Sequence, residues 1–357
     1  MKTTKRIEYI DALRGFTMLL VVTGHIYSMC FMHDKFYEYD LSFNNFFELL
    51  LMPLFYFISG FVFYKPYKHW NYSSIKNFTI NKVRILLISA LSFFLLFCLL
   101  YHKNIIISFF DVHKSGYWFT FVLFIYYFIF ITIDIVTCTL YRKHAFSNIT
   151  ITFSIILGFL LYFFTSNGFL LNILPSQISS LLSINKWIYF LFFSFGCLIH
   201  KYYDSFFKLQ NLKYVKDGAL ILFIFMTICI FFQNKYHVVI HNYILKLFIA
   251  FLGIMLIMVL FKENEIHLSN STKFGHCLQY IGKNTLGIYF IHYFFLPYNL
   301  SFVGRWLKNN PNPILEFCMA LIFALIVIVC CLIVSKIIRL SPTLAYLLLG
   351  AKHIQQI

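Results

Sequence analysis

The chain is a succession of apolar runs near twenty residues long, separated by short polar connections. A helix of that length crosses a hydrocarbon core of about 30 Å. The runs fall at about 10–30, 44–64, 83–101, 117–139, 146–165, 187–203, 214–233, 243–261, 284–299 and 313–338. They are continuous rather than alternating, which argues for helices and against a transmembrane β-barrel. The sixth and ninth are short and carry polar residues. The expected fold is all-α, a polytopic transmembrane helical bundle of about ten spans. No connection has the length of a soluble domain, so residues 1–357 are expected to form one membrane-embedded domain. The connection 166–186, with Pro175 and a run of Ser, Gln and Asn, is expected to be poor in helix. It reads either as a lip over an outward-facing cavity or as a plain connector.

Composition agrees with the pattern. The chain is 61% hydrophobic and 12% charged, with mean hydropathy +0.78, outside the soluble range. The net charge of +16 raises nucleic acid as a partner, but the cations flank apolar runs and form no basic face. Lys and Arg concentrate in alternate connections, the set that includes both termini, which predicts cytoplasmic N- and C-termini. A cleaved signal peptide is not expected, because Asp11 and Arg14 interrupt the first run and no small-residue cleavage site follows. Most of the nine cysteines sit inside apolar runs and no CxxC occurs, so neither a disulfide framework nor a metal site is expected.

The first run is the unusual one. RIEYIDALRGFTMLLVVTGHIY carries Asp11, Arg14 and His25, and an Arg or Asp at the centre of a span costs roughly 2.5–3.5 kcal/mol. Such residues are tolerated where they face a bundle interior or a wet cavity. Arg14 and His25 stand eleven residues apart, three turns plus about 20°, so they share a helix face with roughly 16 Å of axis between them. Imidazole titrates near neutrality and can act as a base or nucleophile; the bland alternative is a histidine bonded to a carbonyl. Arg14 can hold phosphates or pair with Asp11 one turn earlier; both roles are compatible. Glu48, Asp134 and Glu316 are further ionisable residues in or near spans, functional candidates by their cost in lipid.

Four segments in order resemble the membrane acyltransferase-3 family, integral-membrane O-acyltransferases that modify bacterial surface glycans. They are the Arg14–His25 pair, MPLFYFISGFVF at 52–63, YWFTFVLF at 117–124 and IGKNTLGIYFIHYFF at 281–295. The resemblance covers roughly 7–338. It implies transfer of an acyl group, acetyl in the first instance, from cytoplasmic acyl-CoA to a carbohydrate hydroxyl. The acceptor would be a lipid-linked or exported glycan, and the protein a multi-pass protein of the cell (inner) membrane. Acyl-CoA would be the donor substrate, with no permanently bound cofactor, no metal and no nucleic-acid partner; membrane lipids surround the chain. The implied catalytic residues are His25, Arg14 and His292. Arg14, Arg84 and Lys82 would meet the donor, supported by Asp11, Ser59, Trp118 and Tyr289. The bland readings are packing for Ser59, an interfacial anchor for Trp118 and a satisfied core histidine for His292.

Two departures from the family pattern stand out. An Arg-x-x-Arg at the start of the third helix is here Asn81 and Arg84, with Lys82 on a different face, and a His before Met-Pro is here Leu51. A reading from a different class stays open beside the enzyme: a transporter or flippase for a lipid-linked sugar or small anion, with Asp11, Arg14 and Asp134 along a path.

Overall fold

The computed structural model describes residues 7–31, 43–65, 70–141, 145–210, 212–236, 242–310 and 312–351. Among the described residues there are helices and turns and no strand. The main helices are α1 (Glu8–His25), α2 (Phe43–Phe63), α3 (Tyr72–Leu100), α4 (Trp118–Tyr141), α5 (Asn148–Ser166) and α6 (Phe190–Lys201). They are followed by α7 (Lys213–Tyr236), α8 (Asn242–Glu263), α9 (Lys273–Lys283), α10 (Thr285–Ile291), α11 (Ser301–Asn309), α12 (Pro313–Leu340) and α13 (Pro342–Leu349). Five helices are long and apolar enough to cross a membrane: Tyr72–Leu100, Trp118–Tyr141, Asn148–Ser166, Tyr243–Glu263 and Ile314–Leu340.

The apolar runs overlap helices, the ninth only as far as Phe294, and other boundaries differ where polar residues extend them. The third run starts at Tyr72 rather than 83, because Asn71 caps the polar turns Tyr72–Lys82 by accepting from the Ser74 amide at 2.8 Å. The ninth begins at Lys273, capped by Thr272, whose hydroxyl accepts from the Gly275 amide at 3.0 Å. That helix is interrupted at Asn284. The Asn284 amide donates to the Tyr280 carbonyl at 2.8 Å and the Thr285 hydroxyl to the Gly282 carbonyl at 2.7 Å, so the carbonyls freed by the break are satisfied. The connection expected to be poor in helix contains the short helices Phe169–Ile173 and Ser176–Leu181 and a 3-10 turn, Ile184–Tyr189. Gly168, with φ +72°, makes the left-handed turn into the first of them.

The chain divides into two compact units, one of residues 1–55 and 203–333, the other of 56–202 and 334–357. In the first, α1 and α9 meet backbone to backbone. A methyl on Gly15 would stand 2.0 Å from the Leu278 carbonyl oxygen, and one on Gly282 would stand 1.9 Å from that of Asp11. Only glycine fits both places. The contact is secured at its polar end by Glu8, whose carboxylate accepts from the Asn270 amide at 3.0 Å and the Gln279 side chain at 3.4 Å. These bonds, led by the Asn270 amide, hold the Glu8 carboxyl below its usual range.

The second unit repeats the device. Gly60 on α2 would place a methyl 1.9 Å from the Phe193 carbonyl oxygen of α6, and Gly196 one 2.0 Å from that of Phe57. Phe63, Phe130, Phe146 and Phe193 pack around this crossing with ring centroids 5.3–6.1 Å apart. Between α3 and α4, Lys114 is 3% exposed and donates to the carbonyls of Phe109, Asp111 and Ser180 at 3.1, 3.4 and 2.9 Å. Burial pushes its pKa down to about 8. It ties two connections of this unit together.

Replacing Gly282 with Ala is expected to cost about 1–3 kcal/mol by overpacking, read as a lowered unfolding midpoint of the detergent-solubilised protein. Gly218→Ala is the control: beyond its own stretch of helix nothing lies within 4 Å of its added methyl, so the midpoint should hold or rise.

Candidate active site

His25 is the last residue of α1, half-buried, and a π-helical turn, Ile26–Phe31, follows it directly. Single π turns inside helices re-aim side chains and recur at functional positions. His292 follows α10 in a 3-10 turn, His292–Phe294, and is fully buried. The two imidazoles lie face to face, ring centroids 5.3 Å apart and planes 26° from parallel. Sequence spacing gave no sign of this pairing, because the two residues are far apart in the chain and are brought together by the packing of α1 on α9 and α10.

Tyr293 completes the cluster. Its hydroxyl lies 3.4 Å from His25 Nε2, and its ring lies 5.4 Å from that of His25 and 4.0 Å from that of His292. Its own carbonyl accepts from the Tyr298 hydroxyl at 3.2 Å. Tyr293 is not singled out by the sequence analysis; the signal available was its adjacency to His292. Tyr289, one turn before His292, has its ring 6.1 Å away.

The hydrogen bonds of His292 fix which nitrogen does what. Nδ1 lies 2.8 Å from the Tyr289 carbonyl and 3.1 Å from that of Ile288. Carbonyls only accept, so Nδ1 carries the proton, and in the neutral ring Nε2 presents a lone pair. That Nε2 is buried with no hydrogen-bond partner.

Arg14 lies on the same helix, roughly 16 Å of axis before His25. Its guanidinium is 3.9 Å from Asp11 Oδ1, with the Arg14 side chain 33% exposed and Asp11 buried. The structure thus places Asp11 beside Arg14, as the spacing predicts.

The other candidates belong to the second unit. Arg84 sits in a second π turn, Val83–Ile88, and donates through Nη2 to Asn81 Oδ1 at 3.1 Å. Its guanidinium carbon stands 5.2 Å from the Tyr346 ring centroid, and its Nε is buried without a partner. Asn81, where the family pattern has a second Arg, therefore orients Arg84. Lys82 points elsewhere, its ammonium 4.2 Å from the Tyr127 ring centroid and 5.4 Å from that of Phe78. Trp118 is buried, beneath the Lys186 ammonium at 4.7 Å, and stacks on Tyr189. Ser59 is half-buried beside the Gly60 crossing. The side chain of Glu48 lies outside the described residues, and Glu316 is half-buried near the start of α12.

Asp134 is fully buried, and its carboxylate accepts from Trp70 Nε1 at 2.7 Å, the Phe146 amide at 2.8 Å and the Thr150 hydroxyl at 2.8 Å. It clamps the segments around α4 and α5. No group of three or more His, Cys, Asp or Glu able to hold a metal occurs among the described residues.

An all-helical, membrane-crossing bundle with a paired-imidazole cluster defines the class: an integral-membrane protein with the groups for acid–base chemistry. A family model described as an acyltransferase domain, Acyl_transf_3, matches residues 7–334. The chain belongs to this acyltransferase family, and the match runs through both units. No curated protein and no solved structure matches the chain.

Asp134→Ala strands the Trp70 indole and the Phe146 amide, while the Thr150 hydroxyl keeps the Thr137 and Ser147 hydroxyls as neighbours. At about 1–3 kcal/mol for each buried unsatisfied group, roughly 3 kcal/mol or more of stability is expected to be lost. The check is a lowered unfolding midpoint and reduced accumulation of folded protein. His25→Ala, by contrast, should accumulate as the wild type does.

Proposed function

We propose that the protein transfers an acyl group, acetyl in the first instance, from cytoplasmic acyl-CoA to a hydroxyl of a lipid-linked or exported carbohydrate. It would do so as a multi-pass protein of the cell (inner) membrane, with about ten spans and both termini on the cytoplasmic side. The observation that carries the reading is the His25–His292 pair at one end of α1, with Arg14 on the same helix. Attack of a hydroxyl on a thioester needs a base for the hydroxyl proton, and an imidazole in a partly dry site supplies one. A guanidinium suits the phosphates of the donor, and Asp11 orients it.

Arg84 is the second donor contact. Its buried Nε can only donate, and a phosphate oxygen is an acceptor of the matching kind. Lys82, held over Tyr127, adds charge near that position. Tyr289 supports His292, Trp118 is offered as an aromatic surface toward the acceptor, and Ser59 supports the Gly60 crossing. The transporter reading loses one of its path residues, because Asp134 is occupied by Trp70, Phe146 and Thr150.

The test is the acetyl content of the host's surface polysaccharide by proton NMR, in the wild type, a deletion, and the deletion complemented with His25→Ala. Acetyl signals should vanish on deletion, return with the wild-type chain, and stay absent with the variant. Acetylation that persists with His25→Ala sinks the catalytic role of His25. Loss of the glycan itself from the surface would favour export over acyl transfer. Purified protein should also bind acetyl-CoA, and Arg84→Ala should weaken that binding by about tenfold, in the range for a lost charge-assisted hydrogen bond.

A further inference from the structure

We propose that His292 Nε2 is the atom that receives the proton from the acceptor hydroxyl, and that His25 and Tyr293 hold the hydroxyl against it. The inference rests on the acyl-transfer reading and assigns the roles within it. His292 is locked: both acceptors at Nδ1 are backbone carbonyls of its own turn, so the proton stays there and the lone pair stays on Nε2. A buried acceptor without a partner costs free energy, about 1–3 kcal/mol. The protein keeps it within a cluster of His25 and Tyr293, the rings whose centroids lie 5.3 and 4.0 Å away. An acceptor of this kind is completed by a molecule that brings a donor. A sugar hydroxyl is such a donor.

His25 is different in kind. Its Nε2 already faces the Tyr293 hydroxyl at 3.4 Å, and the side chain is half-buried at the end of its helix. With that contact made, either of its tautomers has one ring nitrogen engaged, whereas His292 Nε2 is free in the only neutral tautomer its surroundings permit. His25 and Tyr293 thus form the wall that places the hydroxyl, and His292 is the base. In the step, the hydroxyl oxygen bonds to the thioester carbonyl carbon as its proton passes to His292 Nε2. The C–S bond breaks, coenzyme A leaves as the thiolate, and the thiolate takes up the proton. Atoms and charges balance without a further reactant.

The experiment uses membranes of the glycan-producing host carrying the full chain and supplied with radiolabelled acetyl-CoA. It reads the initial rate of label entering the glycan fraction. His292→Asn keeps an amide nitrogen at the Nδ1 position, able to bond to the Ile288 and Tyr289 carbonyls, but cannot accept the proton. Its rate is expected to fall by about 100-fold or more, with acetyl-CoA binding and protein level unchanged. A rate within about tenfold of an active wild type, below the usual contribution of a general base, overturns the inference while leaving acyl transfer standing. A wild type that incorporates no label overturns both.

Should His292→Asn fail to accumulate, nitrogen-15 spectra of histidine-labelled wild-type protein decide. A His292 signal from a ring protonated at Nδ1 and bare at Nε2 supports the assignment. Protonation at Nε2 overturns it.

Discussion

The backbone contact between α1 and α9 is the constraint on which the candidate site depends. Gly15 and Gly282 let the two helices approach until each glycine faces a carbonyl of the other helix. His25 and His292 each stand ten residues beyond their glycine. A slip of one residue along α1 would move His25 by about 1.5 Å and turn it by about 100°, enough to separate the two rings. The glycines therefore act at a distance, as the register mark for the imidazole pair. The close approach also gives the Gly of the late Gly-Lys segment its place: Gly282 packs on the Asp11 carbonyl. Asn284 and Thr285 then absorb the carbonyls freed where the helix breaks, and α10 carries the chain from that break to His292.

Two π turns mark the places where the helices change course, one directly after His25 and one containing Arg84. Each inserts a residue into the helical ladder and rotates the next turn of helix. The apolar composition of IYSMCF and VRILLI gives no warning of either, because hydropathy reports burial and carries no information on hydrogen-bond register. The same limit applies to α9. Its amphipathic sequence kept it out of the apolar run, so the ninth helix read as starting at 284 although it begins at Lys273.

Helical class and the Asp11–Arg14 neighbour were legible in the sequence, because each depends on local spacing along one helix. The His25–His292 stack was not legible, since it needs a contact between residues hundreds of positions apart. Tyr293 was missed for a related reason: it leaves the helical pattern in a 3-10 turn, where the spacing rules for an α-helix no longer say which way a side chain points. Asp134 looked like a functional group in lipid by its charge alone. Its three donors, Trp70 Nε1, the Phe146 amide and the Thr150 hydroxyl, come from separate segments of the chain and turn it into a fastening. Lys114 is the same case with the opposite charge, a cation consumed by three carbonyls.

Partner accounting is what separates fastening from chemistry. A buried polar atom normally has its hydrogen bonds made inside the protein, and Asp134 and Lys114 obey that rule. Of the eight buried side-chain atoms that break it among the described residues, six are oxygens and two are nitrogens, Arg84 Nε and His292 Nε2. They are opposite in capacity. The guanidinium nitrogen can only donate, and the imidazole nitrogen, with Nδ1 committed to two carbonyls, can only accept in the neutral ring.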